Sequence, residues 1–239
     1  MTIRPLSEFS EFESCVELQR EAWGAADIDL IPVRMLLTDN RIGGLVLGAF
    51  DNERMVGFLN AMPGIRDRMP YWYSHMLAIA KAYWNSGIGS QLKLAQRDAA
   101  LQRGLRLIEW TFDPLESKNA FLNVAKLGVI IRRYYVNLYG ATTSQLQQGL
   151  ESDRVIAEWW IDQPRVHAES GDVRRIYIPS DLQVLKKQSL KSAQDVQLRV
   201  RDQFLKNLQD DYFVAGFERK EEWSEYLFIP GASRVYQAD

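Results

Sequence analysis

Apolar and polar positions change their period along the chain, and each change marks an element. Residues 2 to 5 read as a short strand. From Ser7 to Trp23 the apolar residues Phe9, Phe12, Val16 and Ala22 fall near helical spacing, and Gly24 stands close to the end. Pro32 suits the first turn of a second, short helix through Asp39. Two β-rich stretches follow, "GGLVLGAFD" and "RMVGFLNAM", on either side of the turn-like pair Asp51-Asn52. "YWYSHMLAIA" predicts a third, longer strand and "LRLIEWTFD" a fourth. Between those two, a loop holding Gly87 and Gly89 leads into an amphipathic helix with the apolar stripe Ile88, Leu92, Ala95 and Ala99. Residues 117 to 127 predict a short helix ending at Gly128, and "VIIRRYYV" and "RVIAEWWI" two more strands. The order predicts a mixed α/β fold with one βαβ crossover.

Pro164 to Gly171 is polar and reads as a joint, dividing a domain over 1–163 from an extension over 164–239. In the extension "RRIYIP" predicts a strand. Ser180 is a candidate cap for a short helix, and Ser192 with Asp195 resembles a capping box for a longer one. Val196, Val200, Phe204 and Leu208 mark the buried face of that helix, and "DYFVAGFE" with "SEYLFIPG" predicts a terminal strand pair. The extension is either an appended lobe or a continuation of the main sheet.

Composition narrows the class without choosing a function. The chain has 239 residues, 46% hydrophobic and 25% charged, with a net charge of −2. That excludes the basic balance of a dedicated nucleic-acid binder. The single cysteine, Cys15, allows no disulfide within the chain and fits a reducing compartment. The start, "MTIRPLSEF", lacks the apolar core of a signal peptide, and no run approaches the roughly 18 apolar residues of a spanning helix. The expectation is a cytoplasmic protein with no membrane partner.

The loop before the long helix carries the candidate chemistry. The first N–H groups of a helix have no partner inside it, and with the helix dipole they attract anions. Glycines remove the side chains that would hold a phosphate away. Asn85-Ser86-Gly87-Ile88-Gly89-Ser90 therefore reads as a diphosphate cradle, or else as a plain connector whose glycines only make the turn. A dinucleotide fingerprint would need a third glycine where Leu92 stands, and a P-loop would need Gly-Lys before Ser or Thr.

The strands, this loop and helix, "LRLIEWTF" and the helix closed by Leu127-Gly128 together resemble the GNAT superfamily of acyl-CoA-dependent N-acyltransferases. Its signature is Arg or Gln, two residues, Gly, one residue, then Gly or Ala. Here it reads Trp84-Asn85-Ser86-Gly87-Ile88-Gly89, with both glycines present and Trp84 at the usual Arg or Gln position. The likeness covers about residues 1 to 162. "SHMLAI", "IEWTFDPLESKNAFLNVAKLG" and "RRYYVNLYG" further resemble an uncharacterised-type branch of the superfamily. That branch includes the C-terminal lobe, and some of its members are thought to use succinyl-CoA with amino acids.

The resemblance implies a mixed, mostly antiparallel sheet flanked by helices, with a small C-terminal α+β extension. It implies acetyl-CoA or another acyl-CoA as co-substrate, no metal, and a small-molecule amine as acceptor. A homodimer is one use for the extension. Residues 85 to 90 would hold the CoA diphosphate. Met76, Leu77 and Ala78 would pair with the pantetheine arm, their N–H groups facing the thioester carbonyl that becomes an oxyanion. Asn119 and Asn123 would lie beside that arm, while Asp113 is a candidate cap for the helix that follows it. His75 and Glu109 are the candidate proton acceptors for the attacking amine. The family's usual tyrosine acid falls at Val124, so Tyr134, Tyr135 or Tyr139 would have to substitute, with Tyr135 carried forward. Arg132 and Arg133 could fork onto a carboxylate of an amino acid or a succinyl group. Attack would be direct, with no covalent enzyme intermediate and no role for Cys15 as nucleophile. A catalytically silent CoA-binding module is the alternative, since the signature arginine and the tyrosine are both missing. Most of the tryptophans belong to core packing.

Overall fold

Five strands carry the first half of the chain in spatial order: β1 (Thr2–Pro5), β2 (Leu45–Asp51), β3 (Arg54–Arg66), β4 (Met69–Ile79) and β5 (Leu107–Phe112). The structure, a computed structural model, describes residues 1–24, 26–140, 149–168 and 171–231. Neighbouring strands are antiparallel except β4 and β5, which run parallel because helix α3 (Ile88–Gln102) makes the crossover between them. The fold is the mixed α/β arrangement that the order of elements predicts. Two compact units divide the described residues, one running through Glu109 and the other starting at Trp110.

In the first unit, two helices cover one face of the sheet, α1 (Phe9–Trp23) and α2 (Val33–Arg41). Phe12, Cys15, Leu18 and Ala22 of α1 meet Leu36 of α2 and the strand residues Val46, Phe58 and Ala78 in one core cluster. Each large side chain so buried contributes about 1.5–3 kcal/mol. Helix α3 takes the opposite face, where Ile88 faces Gly57 and Gly89 faces Leu77. Its buried row is Ile88, Leu92, Gln96 and Ala100 together with Lys93. The stripe through Ala95 and Ala99 that apolar periodicity suggests is therefore corrected. The i, i+4 row from Ile88 passes through Gln96, whose Oε1 accepts from Ser74 Oγ at 3.1 Å.

The start of α1 supplies a pH-dependent clamp. Glu11 Oε2 accepts the backbone N–H groups of Ser7 at 2.9 Å and Glu8 at 3.2 Å, while Oε1 accepts from the Arg4 guanidinium. The Arg4 hydrogen bond is the chief cause that holds this carboxyl down to about 2, from an ordinary 4.5. Glu11→Gln is expected to cost about 1 kcal/mol at pH 7. A depressed carboxylate stabilises fully above its unfolded pKa and loses that contribution as pH falls through its folded one. The gap between parent and variant in urea unfolding should therefore narrow as the pH is lowered from 4.5 towards 2.

The second unit builds its sheet in the order β7, β6, β9, β10, β8, with β6 (Ile130–Tyr135), β7 (Arg154–Trp160), β8 (Arg174–Pro179), β9 (Tyr212–Glu218) and β10 (Trp223–Pro230). Ile131 of β6 pairs with Val214 of β9. The last strands thus continue the sheet that β6 and β7 begin. Ser117–Ala120 forms an α-helical turn, α4, that runs on as a π-helix over Phe121–Leu127 and ends at Gly128.

Two helix starts differ from the sequence reading. The short helix α5 (Leu182–Gln188) is capped by Asp181, whose carboxylate accepts from Gln183 and Val184 N–H. Ser180 instead donates to the Lys220 carbonyl at 2.8 Å. The long helix α6 (Leu190–Gln209) is capped by Ser189, and Ser192 supplies the N–H that this cap accepts. The chain leaves its extended conformation three residues earlier than the Ser192–Asp195 spacing suggests. Helix α6 buries Ala193, Gln197, Val200, Phe204 and Asn207, with Val196 and Leu208 half-buried at the margins. Among the described residues, no helix is long and apolar enough to cross a membrane.

Candidate active site

The glycine loop and helix α3 form the first part of the site. Asn85 and Gly87 both take left-handed backbone angles, φ 62° and 87°. Asn tolerates that region and Gly enters it without strain. Ser86 Oγ donates to the Tyr83 carbonyl, and Trp84 Nε1 donates to the Ile79 carbonyl at 2.8 Å. Trp84 is therefore tied back to the end of β4, where the family signature would have Arg or Gln. The first bond of the helix runs from Gln91 N–H to the Gly87 carbonyl at 3.1 Å. The N–H groups of Gly87, Ile88, Gly89 and Ser90 have no partner among the described residues.

The two glycines have different reasons to be there. Gly87 is required by its backbone angle. Gly89 is not, because its φ is ordinary and a β-carbon there would make only a 3.7 Å contact with Leu77 Cδ2. Glycine in place of alanine costs a helix about 1 kcal/mol. The protein's own packing gives no return for that cost, whereas a phosphate resting on the helix start does. The cradle thus fits a diphosphate.

Strand β4 supplies the second part. Met76, Leu77 and Ala78 pair with Asn60, Leu59 and Phe58 of β3, but the next pair is Ser74 with Ala61. His75 is the extra residue of a β-bulge at that point. Bulges bend a strand and re-aim its side chains. β4 and β5 pair at Trp72–Ile108 and Tyr73–Glu109. His75 Nδ1 is buried without a hydrogen-bond partner among the described residues, and burial holds its imidazole below its ordinary pKa. The ring is therefore neutral near pH 7 and able to accept a proton. Glu109 is 3% exposed and its carboxylate pairs with Arg66.

Sequence reasoning missed the buried polar groups behind this bulge. Lys93 Nζ donates to Ser74 Oγ at 2.8 Å, and Ser74 Oγ in turn to Gln96 Oε1. On the other face Asn60 Nδ2 donates to Asp39 Oδ2 at 2.8 Å. The one signal available was polar residues inside otherwise apolar patterns, such as Asn60 in "GFLNAM".

The remaining candidates lie in the second unit. Asn119 is exposed. Asn123 is 5% exposed, and its side chain makes no hydrogen bond among the described residues. Asp113 does not cap α4. Its Oδ1 accepts Leu115 N–H at 2.8 Å, closing a turn, and burial raises its carboxyl to about 6. Val124 is fully buried, so a tyrosine's polar tip has no counterpart there. Among the tyrosines, Tyr134 donates to Asp153 at 2.6 Å, Tyr139 shares a 2.7 Å hydrogen bond with Thr111, and Tyr135 is 40% exposed. Arg132 and Arg133 both face the buried carboxylate of Glu158. Trp72, Trp110, Trp159 and Trp160 are buried, and Trp84 is exposed.

A model of the acetyltransferase (GNAT) family matches residues 9–128, and the chain belongs to that family. Its fold is similar to that of a type Ii aminoglycoside 6'-acetyltransferase, with 20% identity, a TM-score of 0.55, and coverage of 70% of this chain and 100% of that one. It is similar also to the ribosomal-protein-S18-alanine N-acetyltransferase of Escherichia coli, with 16% identity, a TM-score of 0.53, and coverage of 71% and 97%. An aminoglycoside 6'-N-acetyltransferase complexed with coenzyme A gives 18% identity, a TM-score of 0.52, and coverage of 70% and 100%. At these identities the likeness is one of fold. No curated protein matches the sequence.

Proposed function

We propose that the protein transfers an acyl group from an acyl-CoA to a primary amine of a small molecule by direct attack. The observation that carries this reading is the start of α3. There, four N–H groups lack partners among the described residues and Gly89 has no steric need to be glycine. Residues 85–90 would hold the diphosphate, and Met76, Leu77 and Ala78 would offer backbone groups to the pantetheine and the thioester carbonyl. Asn119 and Asn123 keep the role beside that arm that the resemblance gives them, and the buried amide of Asn123 supports it. CoA itself supplies an activated acyl group on sulfur. The chain's task is to hold it, to take a proton from the amine, and to favour the oxyanion.

Among the proton acceptors, the buried neutral His75 is supported over Glu109, whose carboxylate already balances Arg66. Tyr135 is proposed as the donor to the departing sulfur, since the hydroxyls of Tyr134 and Tyr139 are engaged by Asp153 and Thr111. A carboxylate on donor or acceptor would have to compete with Glu158 for Arg132 and Arg133. Acetyl-CoA with a small amine or amino acid is the default pairing, and succinyl-CoA with an amino acid is the alternative. The extension over 164–239 would serve the acceptor side or a homodimer. The lone, buried Cys15 suits action in a reducing cytoplasm.

The test is calorimetry with CoA. Gly89→Val should fold normally, because the added β-carbon makes only an ordinary contact with Leu77. Its CoA affinity should fall by about tenfold or more, at least 1.4 kcal/mol. Unchanged affinity with unchanged helicity would remove the cradle. A second reading, a CoA-binding module without catalysis, draws on Val124 and Trp84 at two positions where the family has polar groups. Tight CoA binding with no CoA release, over acetyl and succinyl donors and an amine panel, would favour it.

A further inference from the structure

Three buried polar atoms around the β4 bulge have no hydrogen-bond partner among the described residues: His75 Nδ1, Asn60 Oδ1 and Gln96 Nε2. Buried polar groups are nearly always satisfied, so each of these calls for a reason. Two of the three are complementary. A neutral imidazole carries its proton on one nitrogen, and an amide oxygen is an acceptor.

The orientation of the Asn60 amide follows from its neighbour. Asp39 Oδ2 accepts only, so the amide nitrogen must face it, and Nδ2 does so at 2.8 Å. The oxygen is left to face elsewhere. Asn60 is fully buried and stands opposite Met76, the residue that follows the bulged His75. Cross-strand partners share a sheet face. The bulge thus sets His75 beside the strand position that Asn60 faces.

We infer that one water bridges the Nδ1–H of His75 to Asn60 Oδ1, and so leaves Nε2 as the nitrogen that takes the proton of the acceptor amine. Asn60 is then a positioning residue that fixes the tautomer, with Asp39 fixing Asn60. The proton moves from the amine to the Nε2 lone pair, while its former bonding pair stays on the amine nitrogen as that nitrogen attacks. The resulting imidazolium has two N–H groups. One is still held by Asn60 through that water, and Asp39 on α2 offsets the positive charge. The other groups around the ring are Tyr73, whose ring centroid is 6.1 Å away, Lys93 of α3 acting through Ser74, and the Arg66–Glu109 pair beside Tyr73. A base oriented by a third group is a recurring catalytic arrangement. The inference rests on the acyltransferase reading only for what gives up the proton.

The chain has two histidines, His75 and His167, so nitrogen-15 NMR of histidine-labelled protein reads both tautomers in one spectrum. His75→Gln assigns the signals. The expected result at pH 8 is His75 with its proton on Nδ1 and Nε2 bare. In Asn60→Leu most of that population should move to the Nε2–H form, with His167 unchanged. Proton on Nε2 in the parent protein would overturn the inference, and so would a tautomer indifferent to Asn60→Leu. Should that variant fail to fold, the parent spectrum still decides. In turnover, Asn60→Leu should lower kcat about tenfold with KM little changed. An Nδ1–H tautomer without turnover on any donor would instead strike at the acyltransferase reading and leave the pairing standing.

Discussion

His75→Gln is expected to lower kcat by about 10²–10⁴-fold, the range for losing a positioned general base. Glutamine keeps a polar side chain of similar reach but cannot take up a proton at neutral pH. The fall should lie in kcat, because the proposed CoA contacts are at the start of α3 and on backbone groups of β4. Its pH dependence separates a base from a structural histidine. Burial holds the His75 pKa below its ordinary 6.5, with Asp39 pulling the other way. The neutral ring is the active form, so kcat/KM should fall as pH is lowered through that depressed pKa and stay level above it. In His75→Gln this acid limb should vanish. An unchanged acid limb in the variant would assign it to another group, with Asp113 the next to examine, since burial lifts its carboxyl to about 6. Steady-state CoA release from pH 5 to 9 makes the comparison.

Element order was legible in the sequence because apolar periodicity is set by burial, and burial is what the sheet and its helices share. The sequence of strands and helices from β1 to β10 follows that pattern. Cap residues were harder to read. Ser180 and Ser192 are good caps by type, yet Asp181 and Ser189 fill the role, because a cap depends on where the backbone leaves the extended region. The face of α3 was misread for a related reason. Apolar counting prefers Ala95 and Ala99, while the helix buries Gln96 and Lys93 and links both to Ser74. Partners of that kind lie far apart in the chain and leave no local trace.

The site shows the same division. The glycine loop is local, and its left-handed turn and bare helix start are written in six consecutive residues. The bulge is not local. "YWYSHMLAIA" reads as an unbroken strand, and the extra residue appears only when β4 is laid against β3, with Asn60 opposite Met76 and Ala61 opposite Ser74. Its location at a candidate proton acceptor ties a defect of pairing to chemistry, since a bulge can turn a side chain that a regular pleat would point elsewhere. Asp39 and Asn60 join that arrangement across 21 residues, beyond the reach of any spacing rule.

Phe204→Ala is expected to destabilise the second unit by about 3–5 kcal/mol, the cost of a large aromatic lost from a core that cannot close over the gap. Phe204 is fully buried on α6, and its ring packs against three others: Tyr134 of β6 at 5.4 Å, Tyr226 at 5.0 Å and Phe228 at 5.0 Å, both of β10. Edge-to-face contacts of this kind add to the area term. Phe204→Leu keeps most of the volume and should cost less, so the pair of variants separates cavity from chemistry. The effect should reach beyond the core. Arg201, one turn earlier on α6, binds both oxygens of buried Asp153 at 2.9 Å, and Asp153 also accepts from Tyr134 and from Asn137 N–H. Helix α6 therefore holds the end of β6 and the chain that follows it, where Tyr135 and Tyr139 lie. If Phe204 anchors that helix, Phe204→Ala should shift the urea midpoint reported by tryptophan fluorescence. It should also raise hydrogen exchange at Asn137 and Leu138, whose N–H groups are bonded to Asp153 and Ser152. A lowered midpoint with unchanged exchange at those two amides would confine the role of Phe204 to packing and free α6 from any part in ordering the chain after β6.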